Sequence, residues 1–200
     1  MKQMIRRVKR QESILYSLDK LGYVSRSQLQ RMHDLKSDRN ALKVMRDLSE
    51  YVNTFRHGEN IYHLSKGGRE YVGSTKVRKR TLQIDHFLMR NDIYIRYGCP
   101  SQWWSEMPVE VKGVVKIIPD AIFTLGDRQY FVEVDNTQNM KANKAKVERY
   151  KIMKKTNAFQ AQRGYFPKII WYTTTAVKQK KLEAMCEGLE CIFYNVKDGV

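Results

Sequence analysis

The spacing of the apolar residues changes period along this chain, and that change limits the folds open to it. Up to about residue 50, apolar side chains recur at helical spacing in three successive segments, the first of which ends at Gly22. The segment YVNTFRHGENIYHL, residues 51–64, alternates on both sides of a turn at 57–60, as a β-hairpin does. From residue 82 the patterns predict the order αβββαβαβ. We therefore predict a mixed α/β (α+β) protein.

The helical segments have clear start signals. The second opens with VSRSQL, in which Ser25 and Gln28 have the spacing of a capping box. The third is predicted at 38–50, starting near Ser37 or Asp38. Its inward face is predicted to carry Ala41, Met45 and Leu48. Three helices followed by a hairpin is the order of a winged helix-turn-helix. Residues 10–72 also resemble bacterial winged-helix domains that end in a YHLSKGG-type turn.

Basic residues lie along the predicted outward face of the third helix. Arg39, Lys43 and Arg46 recur at i, i+4 and i+7, with Asn40 beside them. Because Arg and Lys suit guanine and Asn suits adenine, Arg39, Asn40 and Lys43 are predicted to contact base edges. Further DNA contacts are predicted for Arg56 and His57 of the wing, for the N-terminal arm and for the linker: Arg6, Arg7, Lys9, Arg10, Arg78, Lys79 and Arg80. The alternative is that the stripe is only the solvated face of a surface helix.

The charge of the chain favours a nucleic-acid partner. Thirty-seven Lys and Arg against 21 Asp and Glu give a net charge of +16, and residues 1–80 hold nineteen basic and eight acidic side chains. A membrane would require a basic helix with a spare apolar face or an apolar run of about 20 residues, and neither is present. We predict double-stranded DNA as partner, no membrane contact, and a cytoplasmic protein associated with plasmid or nucleoid DNA. The three cysteines lack metal-ligand spacing and are predicted to be reduced.

A basic segment marks the division between the two halves. STKVRKRT, residues 74–81, has four basic residues in the five positions from Lys76 to Arg80. It is predicted to link a DNA-binding domain, residues 1–73, to an α/β domain, residues 82–200. The sequence leaves open whether this linker lies along phosphates or is a solvated joint without contacts.

The second half contains IIPDAIFTLGDRQYFVEVDN, residues 117–136, which is predicted to form two strands joined at Gly126-Asp127. Pro119-Asp120 and Glu133-x-Asp135, within the αβββαβαβ order, resemble the PD-(D/E)xK restriction-endonuclease-like core over about residues 82–195. The resemblance implies a mixed sheet with helices on its faces. It also implies that Asp120 and Glu133 would bind Mg²⁺ or Mn²⁺ for phosphodiester hydrolysis.

Asp135 stands where that motif carries a lysine, and an acid cannot stabilise developing negative charge as a lysine does. Either Asp135 is a third metal ligand, or a lysine of the next helix (Lys141, Lys144 or Lys146) reaches across. The plain alternative is an ordinary hairpin whose acids bond basic side chains of that helix. The predicted catalytic residues are Asp120, Glu133, Asp135, Lys144 and Lys146. The first three are the predicted metal ligands, and no cofactor is predicted unless the site is active.

The combination of a winged helix, a basic linker and PDAIF…YFVEVDN before a lysine-rich helix ending in KVERYK resembles the replication-relaxation family. The resemblance implies a protein of plasmids, phages or integrative elements. The predicted function is sequence-specific DNA binding as an accessory factor in replication initiation or relaxosome assembly, with a relaxase or replication initiator as protein partner. Alternatives are a metal-dependent endonuclease or nickase, and a repressor of a mobile element. A homodimer is left open.

Overall fold

The computed structural model describes residues 2–137 and 139–196, and the chain forms two compact units, Met1–Ile95 and Arg96–Val200. Met1, Gln138 and residues 197–200, which the predicted domains include, lie outside the described residues. The predicted mixed α/β class is confirmed, because helices accompany an antiparallel sheet in the first unit and a mixed sheet in the second. The winged-helix and restriction-endonuclease-like assignments stay predictions.

The first unit has the predicted order of three helices and a hairpin. Its elements are α1 (Lys2–Leu21), β1 (Val24–Ser25), α2 (Arg26–His33), α3 (Asp38–Asp47), β2 (Val52–His57), β3 (Glu59–Leu64), α4 (Lys66–Val72) and α5 (Ile84–Arg96). The sheet order is β1-β3-β2, with both pairs antiparallel. The residues predicted to face inward on α1 and α3 are buried: Ile14, Leu15, Leu18, Leu21, Ala41, Met45 and Leu48.

Local hydrogen bonds explain where α2 and α3 begin. The Ser25 hydroxyl accepts from Gln28 N at 3.2 Å, and Ser25 N donates to Gln28 Oε1 at 3.3 Å, which is the predicted capping box. Ser37 caps α3 by accepting from Asn40 N at 3.3 Å. The helix ends at Asp47 and not at residue 50 as predicted.

The glycine pair of SKGG lies in α4, a short helix that the sequence pattern did not predict. Ser65 caps it by accepting from Gly68 N at 3.1 Å. A Cβ added to Gly68 would lie 2.0 Å from the Tyr51 carbonyl oxygen. The chain can therefore pass this close to α4 only because residue 68 has no side chain.

Residues 74–81 contain no helix or strand, and they contact other residues of the first unit, to which they belong. The Tyr23 hydroxyl donates to the Lys79 carbonyl oxygen. Two guanidinium groups lie over aromatic rings at centroid distances of 5.5 and 5.4 Å: Arg78 over Phe87 and Arg80 over Phe55. The alternative of a solvated joint without contacts is therefore wrong.

Helix α5 was predicted as the first element of the second domain. In the structure, buried polar contacts join it to residues 21–28 of the first unit. The Asn91 amide donates to the Tyr23 carbonyl oxygen at 2.6 Å, and Gln28 Nε2 donates to the Leu88 carbonyl oxygen at 2.8 Å. Arg90 adds a bond from Nη2 to the Leu21 carbonyl oxygen at 3.2 Å. The compact units consequently divide at Ile95, whereas the sequence pattern places the linker at 74–81.

The second unit is built on a five-stranded sheet. Its elements are β4 (Trp103–Ser105), β5 (Val109–Val111), β6 (Val115–Ile117), β7 (Ala121–Leu125), β8 (Arg128–Asp135), α6 (Met140–Lys155), α7 (Ala158–Arg163), β9 (Lys168–Thr173), α8 (Ala176–Met185) and β10 (Cys191–Asn195). The sheet order is β10-β9-β8-β7-β4. Strands β8, β9 and β10 are parallel, and β7 and β4 run antiparallel to their neighbours.

Two predicted strands are each divided in the structure, and α7 was not predicted. QWWSEMPVEV forms β4 and β5, and VVKIIPDAIFTL forms β6 and β7. A proline lies at each break, Pro108 and Pro119, where the missing N–H ends the ladder. The separated halves β5 and β6 pair with each other as a small hairpin outside the main sheet.

Helix α6 covers the sheet face on which the predicted site lies. Phe131 of β8 belongs to one apolar cluster with Val147 and Tyr150 of α6. Side chains of a strand alternate between faces, so Glu133 and Asp135 project to the same side as Phe131. The strand and the helix that follows it thereby bring acidic and basic side chains together.

Candidate functional site

Asp120 is held at the start of β7 by backbone contacts. Val134 N donates to Asp120 Oδ2 at 2.6 Å, and Asp120 N donates to the Val132 carbonyl oxygen at 2.9 Å. Both partners belong to β8, on either side of Glu133. These bonds orient the carboxylate beside Glu133, as the Pro-Asp and Glu-x-Asp motif predicts.

Glu133 is fully buried and receives two donors from α6. The Tyr150 hydroxyl donates to Glu133 Oε1 at 2.5 Å, and the Lys146 ammonium donates to Oε2. Lys146 Nζ also lies 3.8 Å from Asp120 Oδ1, so one cation serves two carboxylates. Lys146 and Tyr150 are four residues apart and therefore lie on one face of the helix.

One lysine of α6 contacts the strand acids. Of the three candidates, only Lys146 has a contact with the acids, while Lys141 and Lys144 are exposed and have none among the described residues. The predicted role of Lys144 in the acidic site therefore has no geometric support. The ordinary alternative, strand acids bonded to basic side chains of the next helix, describes these same contacts.

Asp135 lies apart from this cluster and has a different partner. Lys178 of α8 donates to Asp135 Oδ1 at 3.2 Å and to the Asn136 carbonyl oxygen at 3.1 Å. Asp135 is fully buried, and its Oδ2 has no hydrogen-bond partner among the described residues. Residues two apart in a strand are separated by about 6.6 Å, which is far enough for each acid to meet a different helix.

The three acids therefore do not form one site. In the part of the chain that the structure describes, no group of three His, Cys, Asp or Glu side chains is placed to hold a metal ion. Asp120 and Glu133 converge, and the Lys146 ammonium lies next to both of them. The sequence pattern missed Lys178, because α8 follows more than 40 residues later and carries no motif that points to the strand.

Burial and charge repulsion raise the pKa of Glu133 from 4.5 to about 8. The main cause is the removal of the carboxylate from water, and the negative charge of Asp120 adds to it, whereas Lys146 and Tyr150 act in the opposite direction. The two carboxylates raise the pKa of Lys146, despite its own burial. The site thus binds protons more tightly than separate residues would.

The raised pKa of Glu133 predicts a pH dependence of stability. Between pH 4.5 and about 8, folded Glu133 keeps a proton that the unfolded chain releases. This stabilisation is complete below pH 4.5 and is lost as the pH rises to about 8, with a slope of at most about 1.4 kcal/mol per pH unit. Urea unfolding of wild type and Glu133→Gln across this range should show the slope in their difference.

That difference cancels the contributions of other groups. One is His33, whose pKa burial lowers to about 4 and which would make stability rise with pH below its ordinary value of 6.5. The same pH dependence in both proteins would contradict the raised pKa of Glu133. The ¹³C shift of the Glu133 carboxyl group, followed by NMR, measures that pKa directly.

The first unit presents basic residues on two helices. On α3, Arg39, Lys43 and Arg46 are exposed and make no ion pair within residues 2–137 and 139–196. The predicted N-terminal arm is helical, because α1 begins at Lys2, and its basic residues are all exposed: Arg6, Arg7, Lys9 and Arg10. A cavity of about 140 Å³ is lined by residues of both helices: Arg7, Arg10, Gln11, Asn40, Lys43, Val44 and Asp47. We call it the α1–α3 cleft.

Three members of the α1–α3 cleft are engaged within the protein. Arg7 Nη2 lies 2.9 Å from Asp47 Oδ2, in an exposed ion pair. Asn40 Nδ2 donates to the Leu35 carbonyl oxygen at 2.7 Å. Since one amide hydrogen of Asn40 is used in this bond, its predicted contact with adenine has only the remaining hydrogen and Oδ1 available.

The hairpin and linker residues differ in their surroundings. Arg56 and Lys79 are exposed. His57 Nε2 lies 2.7 Å from Asp85 Oδ1, so the histidine at the hairpin turn is bound to α5. Arg78 and Arg80 lie over aromatic rings, which leaves the edges of their guanidinium groups for other contacts.

One protein family matches most of the chain. A family model described as replication-relaxation matches residues 15–169. No curated protein and no solved structure gives a significant match. Within the described residues, no helix is long and apolar enough to cross a membrane.

Proposed function

Because the chain belongs to the replication-relaxation family, we propose that it is a sequence-specific DNA-binding accessory protein of a plasmid, phage or integrative element. Family membership supports a role in the replication or relaxation of plasmid or mobile-element DNA. The observation that carries the proposal is the exposed basic face of α3, where Arg39, Lys43 and Arg46 have no acidic partner among the described residues. Side chains left unpaired in this way are available to phosphates and base edges.

In this proposal α3 enters the major groove of a duplex. Arg39 and Lys43, one turn apart, would donate to guanine, and Arg46 would contact the backbone. Arg56 in the hairpin and the cations of α1 would neutralise flanking phosphates, which adds affinity without sequence preference. A relaxase or replication initiator is the proposed protein partner. If the protein is a dimer, its half-sites would lie about one helical turn apart.

A second candidate is a metal-dependent nickase, favoured by the contact of Lys146 with both Glu133 and Asp120. Asp120 and Glu133 would hold Mg²⁺ or Mn²⁺ through carboxylate oxygens, after Lys146 withdraws from between them. When bound, such an ion would polarise an attacking water and stabilise charge on the phosphate. Lys146 would then orient that water. Asp135 takes no part, since it is bound to Lys178.

One assay tests both candidates. Supercoiled plasmid is incubated with Mg²⁺ or Mn²⁺ and either wild type or Asp120→Asn, which keeps an oxygen to accept from Val134 N. We expect retarded but uncut plasmid with both proteins. Metal-dependent nicking that Asp120→Asn abolishes would establish the nickase. Plasmid that is neither retarded nor cut at low salt would contradict both functions.

A further inference from the structure

A second basic groove lies beside the acidic cluster in the second unit. It has a volume of about 470 Å³ and runs between β6 and α6, lined by Lys116, Ile117, Ile118, Lys146 and Arg149. The small β5–β6 hairpin forms one wall, and α6 forms the other. We call it the β6–α6 groove. Of its residues, only Lys146 contacts the acids Asp120 and Glu133.

We propose that the β6–α6 groove binds the phosphodiester backbone of DNA, so that the second unit contacts the same duplex as the first. This inference rests on the proposed DNA-binding function and adds a second contact to it. Its ligand class is a run of phosphates with their sugars, without regard to base sequence. The groove would serve this purpose whether or not the neighbouring carboxylates hold a metal ion.

The arrangement of charge carries the inference. Lys116 on one wall and Arg149 on the other are exposed, and neither makes an ion pair among the described residues. Arg149 lies close enough to Lys146 to repel its ammonium. Lys146 itself is engaged by Glu133 and Asp120, so the two rim residues supply the free positive charge. Glu110 lies opposite Lys116 in the β5–β6 hairpin but forms no ion pair with it. Cations on facing walls that are free of ion pairs suit a polyanion that passes between them.

The apolar lining of the groove fits the sugars of such a backbone. Ile118 is 50% exposed on the groove wall, while Ile117 is buried beneath it. Aliphatic side chains between cations offer packing to deoxyribose rings but no hydrogen bonds to read bases. Because both units belong to one chain, a duplex bound by the first unit would meet the second at a raised effective concentration, so modest contacts there would contribute to affinity.

The test uses the full chain and the salt dependence of its affinity for a duplex. Lys116→Gln/Arg149→Gln removes two exposed charges from the groove. Lys180→Gln/Lys181→Gln removes two exposed charges from α8 and is the matched control. We expect the groove variant to reduce the slope of log affinity against log salt by about 1.8, and the affinity by roughly tenfold. The control should leave both nearly unchanged. All four positions are exposed, so folding is expected to persist.

The outcomes separate the two proposals. If wild type binds the duplex and the groove variant behaves like the control, the groove does not contact DNA, and only this inference fails. If wild type does not bind DNA at all, the proposed function fails with it. A photoreactive amino acid in place of Ile118 gives an independent measurement, in which crosslinks to DNA are expected. Crosslinks to a protein partner alone would assign the groove to that partner and overturn the inference.

Discussion

Replacing Arg39 and Lys43 together by alanine is expected to weaken specific DNA binding about a hundredfold or more and to leave folding unchanged. Each contact of this kind with a base edge contributes about 1–3 kcal/mol. Both side chains are exposed on α3 and have no acidic partner among the described residues, so their removal breaks no ion pair there. Fluorescence anisotropy with a duplex selected from a random library measures the change, and urea unfolding confirms the fold.

The control removes the same amount of charge at other places. Lys66→Ala/Lys168→Ala takes one exposed cation from each unit, each of which is paired with a nearby acid. We expect this control to weaken binding less than tenfold, through the general loss of positive charge alone. Equal weakening by both double variants would mean that α3 contributes only net charge, and the proposal of sequence reading by this helix would fail.

Replacing Lys146 by methionine is expected to lower the free energy of unfolding by about 3–5 kcal/mol at pH 9. The variant leaves Asp120 and Glu133 beside each other without the ammonium that contacts both. Removing one member of a buried ion pair leaves charge that neither water nor a partner compensates. Below pH 6 the loss should be smaller, because burial and Asp120 raise the pKa of Glu133 to about 8 and that carboxylate is then neutral.

Helix α6 offers a close control for this experiment. Lys144→Met makes the same chemical change two residues away, at an exposed position without contact to the acids, and should cost less than about 0.5 kcal/mol. In a double-mutant cycle, Glu133→Gln should recover part of the loss in Lys146→Met, because it removes one of the two uncompensated charges. Similar losses for Lys144→Met and Lys146→Met would show that the pairing in the acidic cluster has no energetic importance.

The two buried acids of β8 are both paired with lysines of helices. Glu133 and Asp135 each meet a lysine from a different helix, Lys146 of α6 and Lys178 of α8. A lysine at position 135 would have supplied the cation from the strand itself. In this chain the cations come instead from the helices that cover the sheet. Each of the two buried strand acids is therefore paired with a cation from a helix that covers the sheet.

Several elements were predictable because local interactions determine them. The capping box of Ser25 and Gln28 appears as predicted, and the predicted lysine-rich helix follows β8 as α6. The strands β7 and β8 join at Gly126-Asp127, also as predicted. In each case hydrogen bonds or apolar periodicity within about fifteen residues specify the element.

Other elements depend on contacts that are distant in sequence. The short helices α4 and α7 have only six or seven residues, too few for a clear apolar period. Strands β5 and β6 leave the main sheet after their prolines and pair with each other. Helix α5 was predicted correctly as a helix but assigned to the second domain, because its buried bonds to Tyr23 and Gln28 cannot be seen in its own sequence.

The sequence by itself determined the mixed class, the order of most elements, the family resemblance and the acids Asp120 and Glu133, since periodicity and short motifs are local properties. Only the tertiary structure decided which lysine joins those acids and where Asp135 belongs. The sequence offered Lys141, Lys144 and Lys146 as candidates and did not decide between Lys144 and Lys146, but the rotation of α6 over the sheet turns only Lys146 to Glu133. Lys178 meets Asp135 from 43 residues away because α8 packs beside β8's carboxyl end. Such pairings arise from the packing of helices on a sheet, which no local pattern encodes.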